Sequence, residues 1–267
     1  MVSKTQVLPS IVTIIKEAKD LYNQDVFITS VDTLPDTQNI PIINSKAWIK
    51  IKDVICVFVD MKGSTRMSAS KYSKSTAKAY QLYTGTAVKI FHEFEAPYID
   101  VRGDGVLALF NYNNAHRALA AAVTFKTFAN DTFKPLVNKN YNLDIGSHIG
   151  IDMKTLLVRK IGLKQHNKRS DRQNEVWAGR PVNMAAKLAS QSEDNQLLVS
   201  DRFFAGINDE CAIMSCGCPD GQKSDLWDDF DLTENDNFDF NTAYALSTNW
   251  CSIHGLDSCL ALLDADK

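Results

Sequence analysis

Two short stretches of this chain each carry a carboxylate out of an apolar run. Val57-Phe-Val-Asp-Met-Lys-Gly-Ser-Thr65 delivers Asp60, and Tyr98-Ile-Asp-Val-Arg-Gly-Asp-Gly-Val106 delivers Asp104. A lone aspartate at a strand end would only cap the turn that follows. Two of them on neighbouring strands are hard oxygen ligands, and like charges held close are costly until a cation neutralises them. Gly63-Ser64-Thr65 comes next and can offer backbone N–H groups to phosphate, as helix N-termini do. Together these residues point to divalent metal held against polyphosphate, the chemistry of phosphoryl transfer. A third segment, Trp177-Ala-Gly-Arg-Pro-Val-Asn-Met-Ala-Ala-Lys-Leu188, places Asn183 and Lys187 four apart on one helix face. That pair is either a solvated flank or an amide and a cation aimed at sugar and phosphate oxygens, and spacing alone leaves both open.

The elements that must position these groups show in the periodicity. Leu8, Ile11, Ile14, Ile15, Ala18 and Leu21 recur at helical spacing, so residues 8–22 are expected to pack on a core or on a second subunit. A polar connector runs on to about residue 46. Residues 54–60 suit a buried central strand and 73–94 a helix. Residues 98–102 and 105–110 form a hairpin about Gly103-Asp104. A helix over 115–128 follows, then strands 144–151 and 155–161 about an Asp152-Met153-Lys154 turn, a helix over 179–190 and a strand over 197–200. Beyond residue 210 short strands alternate with acidic loops. This order predicts an α/β (α+β) domain with a mixed, largely antiparallel sheet flanked by helices. The expected organisation is an N-terminal helix and connector over 1–46, a catalytic domain over 47–250 and a tail over 251–267.

Composition narrows the classes. At 267 residues, 45% apolar and 23% charged, the chain has the make-up of a soluble globular protein. A net charge of −3 carries no global footprint for nucleic acid or anionic membrane, although a local basic stretch spans 160–172. No apolar run approaches the roughly 20 residues of a membrane span, and no secretory pattern opens the chain. Six scattered cysteines fit a reduced, cytoplasmic setting, and Cys216-Gly-Cys218, lacking a second pair at zinc-finger spacing, reads as solvent-side thiols. His92, His116 and His148 fall within helix or strand patterns and are read as structural. Lys223, in the acidic C-terminal region, is a candidate to reach phosphate.

In this order and at these separations, the three segments resemble the class III nucleotidyl cyclase catalytic domain over roughly residues 50–200. The resemblance implies a ferredoxin-like fold and a head-to-tail homodimer with sites at its interface. It implies two divalent ions per site, Mn2+ or Mg2+, held by Asp60, Asp104 and the Met61 backbone carbonyl. Asn183 and Lys187 match its transition-state residues, although lysine stands where arginine is usual and replaces a planar fork by a point charge. Phe58, Gly63, Ser64, Thr65, Arg172 and Trp177 form the implied substrate-binding set. Purine-specific members carry lysine and aspartate where this chain has Asp100 and Val176, so the usual purine-reading pair is missing. Arginine followed after a short gap by tryptophan looks like the uridylate-forming branch of the bacterial Pycsar pyrimidine cyclases. The resemblance therefore implies UTP as substrate, cyclic UMP and pyrophosphate as products, and a downstream effector protein in antiphage defence.

Overall fold

The computed structural model describes residues 8–41, 46–69, 73–141, 144–163 and 172–267. The elements run α1 (Pro9–Tyr22), β1 (Phe27–Val31), β2 (Ala47–Lys62), α2 (Ser64–Ala69), α3 (Ser73–Glu93), β3 (Tyr98–Arg102), β4 (Gly105–Phe110) and α4 (Ala115–Phe128). After one π-helical turn come α5 (Lys134–Tyr141), β5 (Gly146–Gly162), β6 (Gln173–Ala178), α6 (Arg180–Gln191), β7 (Leu197–Ser200), α7 (Asp201–Phe204) and α8 (Glu210–Ile213). β8 (Trp227–Asp231), β9 (Thr242–Leu246) and α9 (Gly255–Ala265) complete the chain. Among the described residues the strands form one sheet in the order β3-β4-β2-β5-β7-β9-β8, with β1 on β2 and β6 on β5. Only β1 with β2 and β5 with β7 are parallel, so the sheet is mixed and largely antiparallel as the sequence leads one to expect.

Strand alternation sorts the two faces. Ile55, Val57, Val59 and Met61 point into one core with Tyr83 and Phe91 of α3 and Phe125 of α4. Val54, Cys56, Leu107 and Leu109 point into a second core with Ala185 of α6. Burial on both faces explains why residues 54–60 read as an unbroken apolar run rather than an alternating one. Asp60 shares the parity of Val54 and Cys56, which directs its side chain to the α6 face.

Two expectations need correction. The central strand is not confined to 54–60: β2 starts at Ala47, and a register shift between Ile51 and Val54, with Asp53 at φ +49°, bends it. Residues 144–161 are not two strands about a turn; β5 runs through as one strand, pairing Cys56 with Asp152 and Ile55 with Met153. Asp152 and Lys154 interrupt the apolar pattern but not the ladder, because each has an ionic partner. The fully buried Asp152 carboxylate accepts from Arg202 Nε and a second guanidinium nitrogen at 2.7 and 2.6 Å, and Lys154 Nζ lies 2.8 Å from Asp239. β1, inside the presumed connector, was hidden because its strand is exposed along four of five positions.

The C-terminal helix is tied to α4 by a carboxylate. Asp266 accepts from the backbone N–H groups of His116 and Arg117 at 3.0 and 2.7 Å, capping α4 where Asn114 does not. It also meets His116 Nδ1 at 2.9 Å, while Asp209 lies 2.9 Å from Nε2. The Asp266 hydrogen bond raises the His116 pKa above its ordinary value; burial opposes this, and the charges of Asp266 and Asp209 reinforce it. A raised histidine pKa gives stability that is complete below the unfolded value of about 6.5 and fades as pH rises through the folded value. Thermal unfolding from pH 6 to 9 should therefore show a loss that the His116→Gln variant lacks. Parallel curves for the two proteins would refute this coupling.

Candidate active site

The site is built at the end of the β2–β4 ladder. Val59 pairs with Val106, so Asp60 comes level with the β3–β4 turn that carries Asp104. Gly103 takes φ +68° in that turn, a conformation glycine adopts without cost. Gly105 has a different reason to be glycine. A Cβ there would stand 2.8 Å from the Phe58 ring and 3.2 Å from Asp60 Oδ1, so its absence lets the carboxylate and the ring lie over the hairpin. Gly63, at φ +81°, turns the chain out of β2 into α2, and a Cβ there would strike the Asp144 carbonyl oxygen at 2.8 Å. Ser64 and Thr65 open that six-residue helix.

Burial, then the Asp104 charge, push the Asp60 carboxyl up to about 6 against the opposing pull of the Met61 N–H. The strand beneath is held from the core side: Tyr83 donates its hydroxyl hydrogen bond to the Asp60 backbone carbonyl at 2.7 Å, and Ser147 Oγ lies 2.6 Å from the same hydroxyl. Sequence reading missed Tyr83, which has the helical spacing of an ordinary core residue; only its hydroxyl in an apolar stripe could have flagged it. Two oxygen-donor side chains at one end of the ladder, without a counter-cation among the described residues, fit a divalent ion, and hard ligands of this kind suit Mg2+ or Mn2+.

The remaining candidates lie elsewhere on the chain. α6 rests on β5 through Gly150, where a Cβ would stand 2.1 Å from the Ala185 carbonyl oxygen. Its buried face is Pro181, Met184, Ala185, Leu188 and Ala189, which leaves Asn183 exposed. Lys187 Nζ donates to the Asn237 carbonyl at 2.6 Å. Trp177 pairs with Val158 on β5, ten residues from His148, the partner of Asp60. It packs against Tyr98, ring centroids 4.6 Å apart, although β6 and β3 are separated in the sheet by β5, β2 and β4. The bent arm of β1, β6 and the outer parts of β2 and β5 thus folds over the α6 face. The Trp177 Nε1 is buried without a well-aligned hydrogen-bond partner among the described residues, and burial pushes the neighbouring Tyr98 hydroxyl up to about 12. Tyr98 was quoted in the hairpin motif but not singled out.

Arg172 is exposed one residue ahead of β6, at the edge of the undescribed segment 164–171 that holds most of the basic stretch. Asp100 is paired with Arg102 at 2.6 Å, and Val176 is on the exposed side of β6. Lys223 pairs with Glu210 at 2.7 Å. One chain therefore gathers Phe58, Asp60, Met61, Gly63 and Asp104 at one place, and Trp177 with Tyr98 at another.

Comparison with known proteins defines the class. The fold resembles the guanylate cyclase domain of RhGC from Catenaria anguillulae in complex with GTP, at TM-score 0.58 and 17% identity over 75% of this chain and 98% of that one. The fold is that of nucleotidyl cyclase domains. The chain is 34% identical over 252 residues to a uridylate cyclase of Propioniciclava tarda, covering 92% of this chain and 80% of the relative. It is 32% identical over 237 residues to a uridylate cyclase of Micromonospora echinofusca, covering 87% and 76%. It belongs to the uridylate cyclase family and is an enzyme of that type. No protein-family model matches it. Among the described residues no helix is long and apolar enough to cross a membrane.

The Asp60 carboxyl gives a direct test of the site's electrostatics. An acid with a raised folded pKa destabilises the fold above that pKa, and the cost vanishes below its unfolded value of about 3.9. Discounted for solvent screening, the cost is about 1 kcal/mol. Metal-free Asp60→Asn protein should melt roughly 2–4 °C above the parent at pH 7.5. At pH 4 the difference should disappear. Destabilisation at pH 7.5 would mean that Asp60 is not held under strain by Asp104.

Proposed function

We propose that the protein converts UTP to 3′,5′-cyclic UMP and pyrophosphate in a homodimer. The observation that carries the proposal is the placing of Asp60 level with the hairpin turn of Asp104, in a chain of the uridylate cyclase family. In this reading Asp60, Asp104 and the Met61 carbonyl hold two divalent ions, Mn2+ or Mg2+, which when bound acidify the ribose 3′-hydroxyl and neutralise the triphosphate. Phe58 and the Gly63-Ser64-Thr65 turn line the phosphate end. Asn183 orients the ribose, and Lys187 meets charge developing on the α-phosphate as the 3′-oxygen attacks in line and pyrophosphate leaves. Lys187 must exchange its Asn237 carbonyl for phosphate to do so, which four rotatable side-chain bonds permit.

The base lies against Trp177, with Arg172 at its edge. Uracil presents two carbonyl oxygens, which suit the donors of Arg172 and the Trp177 indole N–H. Cytosine's exocyclic amino group would face the same donors without an acceptor. The tilted Tyr98–Trp177 pair supports the pyrimidine preference by filling space a second fused ring would need. Incubating the purified full chain with each of four NTPs and Mn2+, and identifying products by mass, should give cyclic UMP from UTP at the highest rate. Faster formation of cyclic CMP or cyclic AMP would overturn the base assignment. Tight UTP binding without turnover would make the chain a nucleotide sensor.

Two copies reconcile the two places found in one chain. In a head-to-tail pair the carboxylates of one protomer meet Asn183, Lys187, Arg172 and Trp177 of its partner. The apolar residues Ile14, Leu21, Val26, Phe27 and Ile28, exposed by 52–67% on α1, β1 and the link between them, support an association that covers them. Mixed Asp60→Ala and Asn183→Ala protomers should regain up to about one intact site per heterodimer while each variant alone is inactive. Inactive heterodimers would rule out a shared site. By resemblance to the Pycsar cyclases, the cyclic nucleotide is proposed as a second messenger to an effector protein in antiphage defence.

A further inference from the structure

Cysteines that looked scattered in the sequence meet in space. Cys216 and Cys218 lie in the loop between α8 and β8, and Cys251 and His254 in the turn that leads into α9. One donor atom from each of the four lies within 4.8 Å of all the others, and Cys218 Sγ is 3.2 Å from His254 Nδ1. Both backbone segments are shaped to present these atoms. Gly217 takes φ +83° between the first two sulfurs and accepts from the Gly221 N–H at 2.6 Å, closing a tight reversal. A Cβ at Gly217 would stand 3.0 Å from the Gly221 carbonyl carbon. In the second segment Gly255 donates to the Cys251 carbonyl at 2.8 Å and Ser258 to the His254 carbonyl at 2.9 Å. The Ile253 N–H points at Cys251 Sγ from 3.5 Å, a donor aimed at sulfur.

We propose that Cys216, Cys218, Cys251 and His254 form a structural zinc site. Three thiolates and an imidazole are a soft donor set that favours Zn2+ over the hard ions suited to Asp60 and Asp104. Zn–S bonds of about 2.3 Å imply tetrahedral S···S edges of roughly 3.8 Å, so the observed spread closes with movements of under about 1 Å. Four protein ligands leave no open position, which makes the site structural rather than catalytic. The ion would fasten the α8–β8 loop to the start of α9. Asp266 already fastens the other end of that helix to α4, and Leu262 between them is in the main core. The proposal is independent of the nucleotide assignment, because none of its ligands belongs to the cyclase site.

The full chain, purified without chelators or reducing metal scavengers, should carry about one zinc per protomer by mass spectrometry of the elements. Replacement with Co2+ should give the intense visible bands of tetrahedral cobalt with a sulfur-to-cobalt charge-transfer band. Cys218→Ser and His254→Ala should lose most of the metal, whereas Cys259→Ser and Asp60→Asn should keep it. Because a ligand variant can fail to fold, the cobalt spectrum of the unmodified chain stands as a separate test. Absence of both zinc and the tetrahedral spectrum would overturn the site. So would zinc retained by Cys218→Ser but lost from Asp60→Asn, or a Cys216, Cys218 or Cys251 disulfide in the freshly purified protein.

Discussion

The β2–β5 ladder is the constraint on which the rest of the molecule depends. β2 lies between β4 and β5, so its register fixes the height of the Asp104 hairpin on one side and of Gly150 on the other. Gly150 in turn sets how closely α6 approaches, and therefore where Asn183 and Lys187 stand. A slip of one residue would exchange the two faces of β2 and turn Asp60 into the Tyr83 core. Burial on both sides makes such a slip very costly. The catalytic end can then carry an unfavourable pair of carboxylates, because the strand beneath them is held by far more apolar packing than their repulsion can disturb.

Legibility in the sequence followed local signals. The 54–60 run, the Gly103-Asp104 hairpin and the helix with Asn183 were readable because each is specified by neighbours in the chain. β5 was misread because Asp152 and Lys154 look like turn residues until Arg202 and Asp239, distant in sequence, neutralise them. The α9 helix and β1 were hidden for the opposite reason: neither buries a long apolar face of its own, and α9 is held by the bond of its Asp266 carboxylate to the start of α4 and by one deep leucine. Cys216, Cys218, Cys251 and His254 arrive as two close pairs far apart in sequence, so spacing rules written for contiguous motifs could not join them. Asp60 and Asp104 stood out as candidates because their residue types and glycine context are themselves local.

Chemistry and base choice have different physical origins in this fold. In the proposed reaction Asp60 and Asp104 act on groups that every nucleoside triphosphate shares, so they cannot distinguish one base from another. In the same proposal discrimination comes from the arm that carries Trp177, whose position depends on the bend at Asp53 and on the long pairing of β5 with β6. That arm is joined to the catalytic strands covalently through β2, yet its inward residues pack on Tyr98 rather than on the carboxylates. Base preference can therefore change by substitutions on the arm while the ladder and its aspartates stay fixed. Missing purine-reading groups at Asp100 and Val176 would cost nothing in phosphoryl transfer, since neither residue faces the metal end: Asp100 is occupied by Arg102, and Val176 looks outward. In the proposed reading the Trp177 indole N–H, beside the Tyr98 hydroxyl, gives the arm a donor edge that suits a base presenting a carbonyl there.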